Sequence, residues 1–248
     1  IYRMIINYNK PYFGMTETLA IIPARGGSKA IKNKNIINLG GKPLIYYTII
    51  EAQKSKLISR LVLNTDNKKI AGVGKNFGVE VPFLRPKKFA KDDSPLDDLI
   101  KHTLSFFKNK ECYEPKIIII LQPTQPFRNT RLIDKSIRML EKSKASSVIS
   151  VAKITQHPYA SFWYKTNFLK PFRTDFKKFY QRQKVPDLYF PTGEVYVFWA
   201  KNLKKFGNFY GPKIKPLIRN EDHITDINLP IDLFYAEMRK KYLERPKN

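Results

Sequence analysis

The stretch AIIPARGGSKAIKNKNI, residues 20–36, concentrates groups that handle anions. Gly26 and Gly27 leave the backbone free to turn its amides toward one point, and Ser28 adds a hydroxyl. Arg25, Lys29 and Lys34 bring positive charge to the same short segment. The spacing is neither the G-x-x-x-x-G-K-[ST] of a Walker loop nor the G-x-G-x-x-G fingerprint. Taken alone, such a segment is either a phosphate cradle or an ordinary solvated turn. Its place directly after the first apolar run favours the cradle, because ligands of α/β sheets gather at the carboxyl ends of strands.

The elements that must position this loop follow in regular order. Short apolar runs at 18–23, 60–65, 79–84, 116–122, 146–152 and 194–200 predict strands. Segments 43–55, 67–77, 95–109 and 131–143 place apolar residues three or four apart and predict helices. Four consecutive isoleucines at 117–120 suit a strand covered on both faces, hence a parallel sheet. The alternation predicts an α/β fold, doubly wound around a mainly parallel, Rossmann-like sheet. Beyond residue 153 aromatics, prolines and cations crowd together and helical periodicity weakens, which predicts a small β-rich insertion used for dimerisation. Residues 229–243 read as a closing helix with Pro230 in its first turn.

Composition narrows the classes. A chain of 248 residues, 42% hydrophobic and 13% aromatic, can bury a substantial core. It has no run of about eighteen apolar residues, so no membrane span is expected. The first residues lack the apolar segment and cleavage site of a secretory signal, and Met15 stands just before the first strong strand. Cys112 is the single cysteine, which excludes an internal disulfide, and His102, His157 and His223 show no zinc-like spacing. A reducing, cytoplasmic setting is expected. Lysine and arginine outnumber acids by 46 to 21, a formal charge of +25 that draws in anionic ligands. No nucleic-acid motif accompanies that charge, so a lysine-rich solvated surface is favoured over nucleic-acid binding.

Five motifs in order resemble those of the acylneuraminate cytidylyltransferase family, which joins CMP to sialic acid and related nonulosonic acids. The loop carries Ala24-Arg25, Ser28-Lys29 and Lys34-Asn35 at the family's spacing. It is followed by NTDN at 64–67, FLRP at 83–86 with FAKDDSP at 89–95, LQPTQPFR at 121–128 and QRQKVP at 181–186. The likeness spans about residues 18–240. Enzymes activating 3-deoxy-manno-octulosonic acid share a GKPL run like that at 41–44 but have a different loop, so Lys34-Asn35 points to the nonulosonic branch.

The resemblance implies in-line displacement at the α-phosphate of CTP by the sugar's anomeric hydroxyl, with pyrophosphate leaving. It implies a nucleotide site of Ala24, Arg25, Gly26, Ser28, Lys29, Lys34, Asn35 and Arg85. Gln122 and Arg182 would meet the sugar acid, Arg182 pairing with its carboxylate, while Tyr196, Phe209 and Tyr210 would wall its acyl and glycerol parts. Arg25, Lys34, Gln122 and Asp226 are the catalytic candidates. Mg²⁺ or Mn²⁺ is the implied cofactor, held by Asp226 and by Asn228, which stands where the family usually has a second aspartate. Asn228 can also cap the helix beginning near Leu229, and Asp232 falls in that helix's first turn. Thr192 and Leu96 depart from the sialic-acid pattern and suit a legionaminic or pseudaminic acid instead. On this reading the chain divides into an extension (1–17), a nucleotide-binding core (18–152), an insertion for dimerisation and sugar contact (153–193) and a return with the closing helix (194–248), paired as a homodimer. The alternatives are octulosonate activation and a catalytically weakened nucleotide- or polyanion-binding protein, the latter on account of Asn228 and the +25 charge.

Overall fold

Branched apolar runs make the strands, and their alternation decides which layer each residue serves. The computed structural model describes residues 16–175, 185–220 and 224–245. In chain order the elements are β1 (Thr18–Pro23), β2 (Asn38–Leu39), β3 (Lys42–Pro43), α1 (Leu44–Gln53), β4 (Arg60–Asn64), α2 (Lys68–Asn76), α3 (Leu96–Glu111) and β5 (Ile117–Ile120). Then come α4 (Thr130–Glu141), β6 (Ser147–Lys153), β7 (Phe162–Lys165), β8 (Phe168–Pro171), β9 (Tyr189–Trp199), α5 (Lys201–Phe206), β10 (Ile214–Ile218) and α6 (Pro230–Leu243). The main sheet has the order β10-β6-β9-β5-β1-β4. The pairs β1/β4, β1/β5 and β6/β10 are parallel, and β9 runs antiparallel between β5 and β6.

Side chains one apart along a strand face opposite layers. Ala20, Ile22, Leu63, Ile117, Ile119, Val195 and Val197 pack with α1, α2 and α4, whereas Leu19, Ile21, Val62, Ile118, Ile120 and Phe198 pack with α3 and α5. All four isoleucines of β5 are fully buried, each contributing about 1.5–3 kcal/mol of apolar transfer. A third cluster, Ile31, Leu39, Leu44, Ile227 and Ala236, ties α6 to the segment after β1.

Three sequence expectations change. Residues 79–84 make two isolated bridges beside β4, Val62 with Glu80 and Thr65 with Leu84, rather than a strand; Pro82 lies between them and cannot donate to a ladder. The boundary placed at residue 193 falls inside β9, which starts at Tyr189. The strand survives a register shift in its pairing with β6 near Ile149 and Val151, where Gly193 takes a φ of 78°. The third change is β10 with its preceding short helix α5, neither of which the apolar pattern marks; β10 is an edge strand with Ile214, Lys215, Pro216 and Ile218 all exposed. In the insertion β7 and β8 form a hairpin.

Candidate active site

A cleft of about 320 Å³ opens at the carboxyl ends of β1, β4 and β5. From β1 comes the loop with Arg25, Ser28, Lys34 and Asn35. Beyond β4 come Arg85, Phe89, Lys91, Asp92, Ser94, Pro95 and Leu96, and after β5 come Gln122, Pro123 and Thr124. Asp226 and Asn228, just ahead of α6, complete the wall. The parallel strands β4 and β5 flank β1 on opposite sides, so their connections diverge and leave a crevice above the sheet.

The residues after β4 build the site's frame. Asn64 Oδ1 accepts from Arg85 Nε at 2.6 Å and its carbonyl from Arg85 Nη2 at 2.6 Å, while Asn64 Nδ2 donates to Thr103 on α3. Arg85 is thereby fixed while nine-tenths of it is buried, and burial pushes its pKa down to about 10, against the attraction of Asp66. Asp66 Oδ1 accepts from the Gly26 amide at 2.8 Å, and Asn67 caps α2 by accepting from the amides of Lys69 and Ile70. A β-carbon on Gly26 would stand 2.7 Å from Asn67 Nδ2, so the glycine allows this close approach.

Two amides of the loop after β1 are engaged within the protein. Gly26 N is held by Asp66, and Ser28 N by the Gly26 carbonyl at 3.1 Å. The loop presents mainly side chains to the cleft. Asn35 is buried and donates from Nδ2 to the Arg25 carbonyl at 2.8 Å, so it shapes the loop from within. Ala24 is also buried, its amide bonded to the Asn64 carbonyl at 2.9 Å. Arg25 and Lys29 both engage Asp92, Lys29 Nζ at 2.6 Å; Lys29 is otherwise exposed and stands outside the cleft lining. Hydrogen bonds from Lys29 and Arg25, helped by their charges, hold the Asp92 carboxyl below its ordinary range. Sequence reasoning passed over Asp92; an acid at the end of an otherwise cationic run was its available signal.

At the far wall Lys34 Nζ donates to Asn228 Oδ1 at 3.3 Å and Asn228 Nδ2 to Asp226 Oδ2 at 2.7 Å. Partial burial lowers the Lys34 pKa, with Asp226 opposing it. The expected cap is corrected here. Leu229 is the N-cap residue, and Asp232 Oδ2 accepts from the amides of Asn228 and Leu229, which leaves the Asn228 side chain facing the cleft. The donor set suits a hard divalent cation: a carboxylate and an amide oxygen, completed by phosphate oxygens and water. Among the described residues no cluster of three or more His, Cys, Asp or Glu could hold a metal unaided.

The aromatic wall is corrected too. Tyr196 and Phe209 are buried in the second core layer, Phe209 stacks on Tyr210 with centroids 4.1 Å apart, and none of the three lines the cleft. Burial pushes the Tyr196 hydroxyl up to about 12, with Tyr210 and Asp226 adding to it. Apolar lining comes instead from Phe89, Pro95, Leu96 and Leu99. Thr192 is buried and donates to Ser150 Oγ at 2.8 Å. Arg182 lies outside the described residues.

Comparison with known proteins gives a consistent picture. The CMP-N,N'-diacetyllegionaminic acid synthase of Legionella pneumophila is 34% identical over 222 residues, covering 88% of this chain and 94% of that protein. The N-acylneuraminate cytidylyltransferase of Escherichia coli is 29% identical over 89% of this chain and 51% of its own length. Among solved structures, a CMP:2-keto-3-deoxy-manno-octonic acid synthetase in complex with CTP superposes with a TM-score of 0.67 at 14% identity, covering 92% of this chain and all of that one; this likeness concerns the fold. No helix among the described residues is long and apolar enough to cross a membrane. The cytidylyltransferase family pattern matches residues 19–208, and with the relatives' coverage this establishes that the chain belongs to the cytidylyltransferase family.

Proposed function

We propose that the protein transfers CMP from CTP to the anomeric hydroxyl of a nonulosonic acid, releasing pyrophosphate. The observation that carries this is one cleft at the strand ends, lined by Arg25, Lys34 and Arg85 on its cationic side and by Gln122 and Asp226 elsewhere. Relatives named for legionaminic, pseudaminic and sialic acids support a nonulosonic acceptor. Phosphoryl chemistry of this kind needs alignment and charge neutralisation more than covalent help. Arg25 and Lys34 neutralise the triphosphate from the cleft wall, Lys29 adds its charge from outside that lining, and Arg85, locked by Asn64, contributes a fixed cation beside the nucleotide. Ser28 offers a hydroxyl to the same phosphates, and Gln122 meets the sugar acid from the floor after β5. A divalent cation held by Asp226 and Asn228 Oδ1 would spread the charge that builds on the phosphates.

The acceptor is a legionaminic- or pseudaminic-type acid, as Leu96 at the cleft wall and the match to the Legionella enzyme favour. The working unit is a homodimer formed through the insertion, whose hairpin exposes Trp163, Tyr164, Phe168 and Leu169. Incubation with CTP, Mg²⁺ and a panel of nonulosonic and octulosonic acids tests the reading by pyrophosphate release. Turnover is expected with a nonulosonic acid; turnover with the octulosonic acid alone, or with no acid in the panel, overturns it.

A further inference from the structure

Arg128 closes the LQPTQPFR motif yet lies beneath the cleft, 2% exposed. Its Nη1 donates to the backbone carbonyls of Glu194 at 2.7 Å and Gln122 at 3.3 Å. Its Nη2 donates to the Thr48 hydroxyl at 2.7 Å and again to the Gln122 carbonyl at 3.2 Å. Nε has no hydrogen-bond partner among the described residues. Burial pushes the guanidinium's pKa down to about 10, against the more distant charges of Glu194 and Glu51. A buried cation held by neutral acceptors is costly, and apolar side chains fill such space at least as well. What the guanidinium supplies is geometry, since a rigid planar fork grips two chain segments at once.

Those two segments meet at the Gln122 side chain. Its Oε1 lies 2.5 Å from where a β-carbon on Gly193 would stand, so the amide rests directly against that glycine. Arg128 holds the carbonyl of Gln122 itself and the carbonyl of Glu194, the residue after Gly193. Gln125 makes a second staple: its Nε2 donates to the Thr192 carbonyl at 2.5 Å and its backbone N–H to the Gln122 carbonyl at 3.3 Å. The end of β5 and the bend of β9 are thus locked together directly under one cleft-facing amide.

We infer that Arg128 is the positioning residue of the sugar-acid subsite, acting through Gln122 without touching substrate. The inference rests on the assignment of Gln122 to the sugar acid. The triphosphate cations stand on other loops, so the effect is confined to the acceptor. Arg128→Lys keeps the charge and loses the fork; it is expected to lower kcat/KM for the sugar acid by about tenfold or more, as small misplacements do, with KM for CTP within about twofold. In a Gln122→Ala background the same change is expected to cost less than about twofold, because its target is gone. Equal losses in both backgrounds, or a parallel rise in KM for CTP, overturn the inference and leave Arg128 a structural residue. If Gln122→Ala itself spares sugar kinetics, the assignment of Gln122 has failed, and NMR decides for Arg128 separately. The Gln122 side-chain amide signal, identified by its loss in Gln122→Ala, should move in Arg128→Lys, and an unmoved signal overturns the positioning role. Should Arg128→Lys not fold, Thr48→Val replaces it: it removes the hydroxyl that holds Nη2 and should give a smaller loss that vanishes without Gln122, whereas a loss that persists overturns the inference.

Discussion

Asn228 shows how one atom exchanged for another resets a site. With an amide in place of a carboxylate it accepts from Lys34 and donates to Asp226, knitting the wall together while removing one negative charge. On the proposed reading a cation there would lean harder on Asp226 and the phosphates. Asn228→Asp is expected to lower the Mg²⁺ concentration for half-maximal rate severalfold, measured by titrating the metal at fixed CTP; an unchanged midpoint removes Asn228 from the metal site. The lining of this site was legible through the ordered motifs rather than through the loop alone, which also suits a solvated turn, and Arg25, Ser28, Lys34, Asn35, Arg85, Gln122, Asp226 and Asn228 do share one cleft. Asp66 and Asp92 stand inside the NTDN and FAKDDSP motifs, but their partners were not legible, since each meets the loop only after the chain returns from β4. Tyr196 and Phe209 misled for the opposite reason, since aromatics serve cores and pocket walls alike.

Helix α2 shows two glycines with opposite demands. Gly74 faces β4, where a β-carbon would stand 2.3 Å from Leu63 Cδ2 and 3.0 Å from Val79 Cγ1, so the helix lies closer than any side chain permits. Gly72 is exposed, with nothing within 4 Å. Gly74→Ala should destabilise by about 1–3 kcal/mol through overpacking. Gly72→Ala should stabilise by up to about 1 kcal/mol, the helix preference for alanine. Urea midpoints at constant slope measure both, and a destabilising Gly72→Ala would show that the helix face is not free. Long elements with strong periodicity were readable to within a few residues, as α1, α4 and β5 show. The orientation of β9 was not, because an apolar strand buried on both faces looks the same in either direction. Arg60 at the start of β4 was also hidden; it binds Glu80 and Glu111 beneath the ring of Phe107, 4.0 Å away, and these acids hold its charge in place against burial.

For the molecule as a whole, the surplus of 25 positive charges works against self-association, so a dimer needs a strong apolar contact. The hairpin offers one, with Tyr164 71% and Phe168 72% exposed. Sedimentation of the wild-type protein should give a dimer, and Phe168→Glu with Leu169→Glu should give a monomer with unchanged far-ultraviolet circular dichroism. A wild-type monomer at micromolar concentration sinks the proposed assembly. The antiparallel course of β9 adds something further. Residues 154–188 leave from the end of β6 and return beside it, pinned where Lys153 pairs with Tyr189 and the Ile154 amide reaches the Leu188 carbonyl at 2.9 Å. Both ends of that segment are anchored to neighbouring rungs of one ladder, at the side of the sheet where the cleft opens. Its length and composition can vary with little effect on closure entropy or on the rungs below. Exchanging residues 154–188 for the matching segment of a relative is therefore expected to leave the β6/β9 ladder closed, and CTP binding by such a chimera checks that the nucleotide half is undisturbed.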